Sequence, residues 1–225
     1  MKKEDIYRVF KELTKRYAWA TTELVYKTPF QLLVAVIMSA QTTDKQVNKV
    51  TSAFFDSIQW PKDILKISPE KRESMIQWVN YYRNKAKNIY TLAGMLIDNA
   101  KSKKHKGEYR IPDTQEELVK LPGVGEKTAK VILQVLYGKD VIAVDTHVHR
   151  VTNRLWIVKT NEPLQTSKIL EDKVPVEFRW DAHHGLILFG RYHCTARNPK
   201  CDSCPFTKIC ERYKKSLALE KRKKK

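Results

Sequence analysis

Apolar residues recur at three- and four-residue spacing through most of this chain, and that period admits helices and little else. Ile6, Val9, Phe10, Leu13 and Tyr17 form one stripe. Phe30, Leu33, Val34, Ile37 and Met38 form a second, behind a Pro29 suited to the first position of a helix. Val47, Val50 and Phe54 follow Thr43 and Gln46, which read as a capping box. Further stripes are Ala86–Ile89–Ala93–Leu96–Ile97, Ala129–Ile132–Leu133–Leu136 and Val148–Val151–Thr152–Leu155, with a shorter one at Leu186, Ile187 and Phe189. Thr114 with Glu117 reads as a second capping box, before a short helix ending near Lys120. Only Val141-Ile142-Ala143-Val144 has strand character, and one strand builds no sheet. The predicted fold class is therefore all-α. Seven glycines in 225 residues argue against a fold of many tight turns. No Pro/Gly/Ser linker divides the chain, Lys101–Lys106 reads as a basic loop, and the tail after Tyr213 is expected to be mobile.

Charge narrows the partner. Lys and Arg number 43 against 25 Asp and Glu, a net +18. Such a surplus repels itself when compact and attracts polyanions, nucleic acid first. A basic tail alone does not explain it. Lys221, Arg222, Lys223, Lys224 and Lys225 supply only five of the charges. No apolar run approaches the ~20 residues that span a bilayer. The start, Met1-Lys2-Lys3-Glu4-Asp5-Ile6, lacks the apolar stretch of a secretory leader, so a cytoplasmic protein is expected.

All four cysteines fall late, as Cys194-x6-Cys201-x2-Cys204-x5-Cys210. They cannot staple the body of the chain, and in a reduced compartment a metal site is expected instead. Four thiolates at this spacing can hold a 4Fe–4S cube or a zinc ion; a single C-x2-C flanked by longer loops leans toward iron–sulfur. Arg197 and Lys200 lie in the loop between the first two cysteines, where they can meet a phosphate backbone. The metal is expected to order that loop.

Leu121-Pro122-Gly123-Val124-Gly125 separates two striped helices. Pro122 stops the first helix. Gly123 and Gly125 allow unusual φ and leave no Cβ between backbone and ligand. Amides of such a turn, with the next helix N-terminus, can face a phosphate. The pattern is that of a helix–hairpin–helix clamp; the ordinary alternative is a helix–turn–helix corner. Lys127 enters the first turn of the second helix. The positive helix end and Lys130 are expected to lower its pKa and favour a nucleophilic amine. Asp145, ahead of the Val148 stripe, is a candidate N-cap whose carboxylate amide donors keep ionised. An ionised carboxylate near a sugar C1′ stabilises the cation formed on base loss; a purely structural cap is the plainer reading. His147 and His149 point to different helix faces and make a poor metal pair. His147, beside Asp145, is the histidine expected to face DNA.

Together these segments resemble the endonuclease III family of base-excision repair glycosylases, from about Thr28 to Tyr213. The stretches that carry the likeness are Thr28–Leu33, Met38–Asp44, Asn84-Lys85-Ala86, Leu121–Thr128, Val144–Arg150 and the cysteine array. The resemblance implies that Lys127 is the Schiff-base nucleophile, Asp145 the second catalytic residue, and Cys194, Cys201, Cys204 and Cys210 the ligands of a 4Fe–4S cluster. It implies that Gln41 fills the gap left by an extruded nucleotide. Tyr81 stands where members often carry a leucine wedge, and an aromatic can also intercalate. With Leu121, Gly123, Gly125, His147, Arg197 and Lys200, these complete the expected DNA contacts. The family fold is two helical lobes with DNA in the cleft between them. Here they would be 23–138, with the helix–hairpin–helix, and 1–22 plus 139–213, with the cluster, leaving 214–225 as a basic tail. The implied activity is bifunctional: N-glycosylase on oxidised pyrimidines and β-eliminating lyase at abasic sites. The implied protein is a monomer acting on duplex DNA. Its rivals are a monofunctional adenine or thymine mismatch glycosylase, whose members typically lack the lysine at 127, and a non-catalytic iron–sulfur DNA-binding protein, which needs neither Lys127 nor Asp145.

Overall fold

The computed structural model describes residues 1–18, 22–100 and 109–223. The basic loop expected at Lys101–Lys106 lies outside them. Among the described residues there are twelve α-helices, one 3-10 turn and no strand. In chain order the helices are α1 (Lys3–Arg16), α2 (Pro29–Ser39), α3 (Asp44–Ser57), α4 (Pro61–Leu65), α5 (Pro69–Met75) and α6 (Tyr82–Ala100). They continue as α7 (Gln115–Leu118), α8 (Glu126–Tyr137), α9 (Thr146–Leu155), α10 (Pro163–Lys173), α11 (Arg179–Tyr192) and α12 (Glu211–Lys223). None is long and apolar enough to cross a membrane. The chain divides into two compact units, Thr22–Tyr137 and Met1–Thr21 with Gly138–Lys225.

The 22–137 unit is organised around α2. The sequence predicts a single buried stripe there, yet every residue from Phe30 to Met38 is buried. A helix apolar all round belongs at a centre, and α3, α6 and α8 pack about it. The polar exception, Gln31, is satisfied by backbone: Oε1 accepts from Lys27 N at 2.8 Å and Nε2 donates to Ile58 O at 3.2 Å. The two capping boxes are half-made. Thr43 and Thr114 each accept the amide three residues on. Gln46 does not reach back; its amide donates to Trp78 O at 3.3 Å.

The other unit buries Ile6, Val9, Phe10 and Leu13 of α1 against α11 and against Val148, Val151 and Leu155 of α9. The strand-like run 141–144 crosses this core without a ladder. Its backbone is satisfied by side chains instead: Ile142 N donates to Glu171 Oε1 at 3.0 Å, and Ser167 Oγ donates to Ile142 O at 2.7 Å. The Ala143 carbonyl lies 2.6 Å from His183 Nδ1. The expected mobile tail is helical as α12 as far as Lys223. Leu, Ala, Lys and Glu favour helix, Lys214 pairs with Glu211 at 2.9 Å, and Lys215 stands 4.4 Å from the centre of the Trp156 ring.

Ser167→Ala removes the donor and leaves the buried Ile142 carbonyl without it. The expected cost is about 1–3 kcal/mol, read as a lower midpoint in urea unfolding at unchanged slope.

Candidate functional site

The hairpin between α7 and α8 is closed by Val124 N donating to Leu121 O at 3.0 Å. Gln115 of α7 also donates across it to the Glu126 carboxylate. Gly123 adopts φ +83°, a left-handed conformation, and an added Cβ would press on Ile37 Cγ2 and Asn88 Nδ2 at 3.2 Å. The turn requires a glycine there. Gly125 differs from expectation: its φ is not positive, and a Cβ would meet nothing within 4 Å. Its backbone is exposed on open space. Leu121 is 3% exposed, so its side chain packs in the core and its backbone is what the turn uses. Val124 is likewise buried.

Lys127 is the second residue of α8 and is exposed. Its ammonium has no hydrogen-bond or ion-pair partner among the described residues. The amine is therefore accessible beside a run of open backbone, as a nucleophile or a phosphate contact must be.

Asp145 is the N-cap of α9. Oδ1 accepts from both His147 N and Val148 N at 2.8 Å. Oδ2 accepts nothing among the described residues. One oxygen thus fixes the carboxylate and leaves the other open. His147 Nδ1 lies 3.1 Å from Arg150 Nη2, which can only donate, so the ring's proton sits on Nε2. Burial first, and Arg150 and Arg191 besides, hold this imidazole below its ordinary range against the pull of Asp145. His149 turns away, with Nδ1 2.7 Å from Thr166 Oγ1.

The four cysteines line one partly open hollow, together with Leu155, Phe189, His193 and Pro199. None forms a disulfide. Burial pushes the Cys204 thiol up to about 11 and the Cys210 thiol upward as well. Thiolates in such a setting need a metal's positive charge. Among the described residues no group of three His, Cys, Asp or Glu side chains converges as one ion would require. Four thiols around a shared apolar hollow are the donor set of a thiolate-bound metal centre.

Sequence reasoning missed what secures this loop. Arg154 Nη1 donates to Thr195 O at 2.7 Å and lies 3.4 Å from Cys194 Sγ, while Nη2 donates to Ala196 O at 2.8 Å. Arg150 Nε reaches Cys194 O at 3.2 Å. The two arginines stand four apart on α9, off its apolar stripe, which is the one signal the sequence offered. Thr195 Oγ turns the chain by donating to Arg197 O at 2.6 Å, and Arg197 and Lys200 stay exposed.

Residues 34–176 match the family model for HhH-GPD superfamily base excision DNA repair proteins. Residues 194–210 match the iron–sulfur binding domain of endonuclease III. The endonuclease III of Bacillus subtilis is 46% identical over 197 residues, 87% of each chain. That of Rickettsia felis is 40% identical over 213 residues, covering 95% of this chain and 97% of its own. A solved structure of a trapped endonuclease III–DNA covalent intermediate superposes with a TM-score of 0.87 at 43% identity, over 96% of this chain and 99% of that one. The fold and site define a helix–hairpin–helix base-excision repair protein. Within that class, the chain belongs to the endonuclease III family.

Two outcomes are expected. Gly123→Ala should lose about 1–2 kcal/mol of stability through the left-handed backbone it must keep, measured by denaturant unfolding. The purified protein should be brown and contain iron, and Cys204→Ser should lose most of that iron while the 194–210 loop becomes sensitive to protease.

Proposed function

We propose that this chain is a bifunctional DNA glycosylase and abasic-site lyase of base-excision repair, acting as a monomer on oxidised pyrimidines in duplex DNA. The observation that carries the reading is Lys127, an exposed amine at the start of α8 with no partner among the described residues, next to the open backbone of the Gly123 turn. A relative 43% identical has been trapped in a covalent intermediate with DNA. The family relatives are bacterial, and we assign the protein to the cytoplasm, with the nucleoid.

The damaged nucleotide is extruded from the stack, at a cost of a few kcal/mol and less for a poorly stacked lesion. Lys127 Nζ attacks C1′; the N-glycosidic bond breaks, and the base leaves with the bonding pair and takes up a proton. Asp145, held by two amides, stabilises the positive charge that develops at C1′. Loss of an amine proton and opening of the sugar give an imine between Nζ and C1′. The imine acidifies C2′–H; that proton is removed, the C3′–O bond breaks, and the 3′ phosphate departs. Hydrolysis of the imine frees Lys127.

Phosphate-backbone contacts are assigned to the amides around Gly123 and Gly125, to His147, and to Arg197 and Lys200 on the cysteine loop. Gln41 and Tyr81 are assigned to the duplex interior. Cys194, Cys201, Cys204 and Cys210 hold the 4Fe–4S cluster, which supplies a rigid crosslink for the loop bearing Arg197 and Lys200. No step above passes through it.

Borohydride should trap the wild type on thymine-glycol and abasic duplexes. Lys127→Ala should give no adduct while still binding abasic DNA; undiminished trapping would overturn the assignment. Asp145→Asn separates cap from charge. Asn caps as well as Asp, so stability should hold within about 0.5 kcal/mol. Single-turnover base release should nonetheless fall by about two orders of magnitude.

A further inference from the structure

The segments after α2 and before α6 share one buried cation. Lys85 sits in the first turn of α6, where the helix's positive end disfavours an ammonium, and it is only 6% exposed. Burial holds its amine down at about 8. A cation so placed is costly unless its protons are taken up. Nζ donates to Met38 O at 2.7 Å, to Ala40 O at 2.6 Å and to Thr42 Oγ1 at 3.4 Å. These acceptors lie at and just past the C-terminus of α2, a helix with no basic residue in its own last turn. Lys85 therefore caps a helix other than its own, and the unfavourable end of α6 is offset by the favourable end of α2.

Asn80 ties the same segments again. Its backbone N donates to Thr42 Oγ1 at 3.0 Å, and its side-chain amide donates to Gln41 O. Beside these ties stand two non-glycine residues in left-handed backbone, Gln41 at φ 56° and Tyr81 at φ 57°. Such conformations persist where the surroundings over-determine them. Both side chains are exposed, Tyr81 to 64%. Two strained, outward residues from separate segments are thus held by one shared set of bonds.

We propose that Lys85, assisted by Asn80, is a positioning residue that locks the Gln41 and Tyr81 turns into one preformed two-pronged element, so that the prongs enter the duplex as a unit. What the element does on DNA rests on the proposed glycosylase function; the mechanical coupling does not. Lys85 itself touches no DNA.

Lys85→Met keeps the aliphatic stem and removes the donors. In the DNA-free full-length chain it should raise amide hydrogen exchange in residues 40–43 and 79–82 together, by about tenfold. A rise in one segment alone, or in neither, overturns the coupling. On thymine-glycol duplex it should slow single-turnover base release by about tenfold. It should slow borohydride trapping at a ready-made abasic site less, because no base has to be displaced there; equal losses would overturn the positioning role. Gln41→Ala combined with Lys85→Met should be no slower than the worse single variant, since residues acting as a unit do not add; additive losses count against the proposal. Asn80 is exposed, so Asn80→Ala should give the same paired exchange change to a smaller degree, and it decides the matter if Lys85→Met does not fold. A wild type that releases no base refutes the glycosylase reading, while the exchange result still decides the coupling.

Discussion

Helix ends are the recurring problem of a chain built from short helices, because each leaves several backbone donors or acceptors without an internal partner. The groups assigned to function sit where that problem is solved. Asp145 closes the start of α9 with one oxygen, and its other oxygen accepts nothing among the described residues. Lys127 enters at the start of α8, beyond a turn only glycine can make at 123. Lys85 answers the C-terminal carbonyls of α2 from across the unit. The same backbone polarity that must be satisfied for folding is what aims side chains and bare amides at an anionic ligand.

Interior polar groups follow the same accounting. The 141–144 segment delivers Asp145 to the head of α9 through the core, yet it has no neighbouring strand among the described residues. Glu171 and Ser167 of α10 and His183 of α11 meet its carbonyls and amide. Further along α9, Arg150 and Arg154 gather the carbonyls that open the cysteine loop. One ten-residue helix thus carries a cap at its start and a loop clamp from its middle onward.

Much of this was legible beforehand because it rests on local rules. Apolar spacing gave the helices, residue type and position marked Thr43, Thr114 and Asp145 as caps, and the glycine turn announced Gly123. The departures have tertiary causes. Lys85 is one of 43 cationic residues, and nothing in its neighbours tells that it is buried. Leu121 lies in a motif read as DNA-facing, but an apolar side chain beside Val124 packs inward. Gly125 resembles Gly123 in sequence and differs in φ, because only one corner of the hairpin reverses the chain. The run at 141–144 has strand composition since Ile142, Ala143 and Val144 are buried, a property a core-crossing loop shares.

The core that buries α1 also draws on α9 and α11, with Leu13 packed close to Gly185. During synthesis, Ile6, Val9, Phe10 and Leu13 leave the ribosome long before their partners exist. The continuous 22–137 unit can collapse on its own contacts in that interval, while the first helix waits with its greasy face uncovered. Closure over so long a sequence separation is slow, so the unit that holds α1 completes its core only once α9 and α11 are in place.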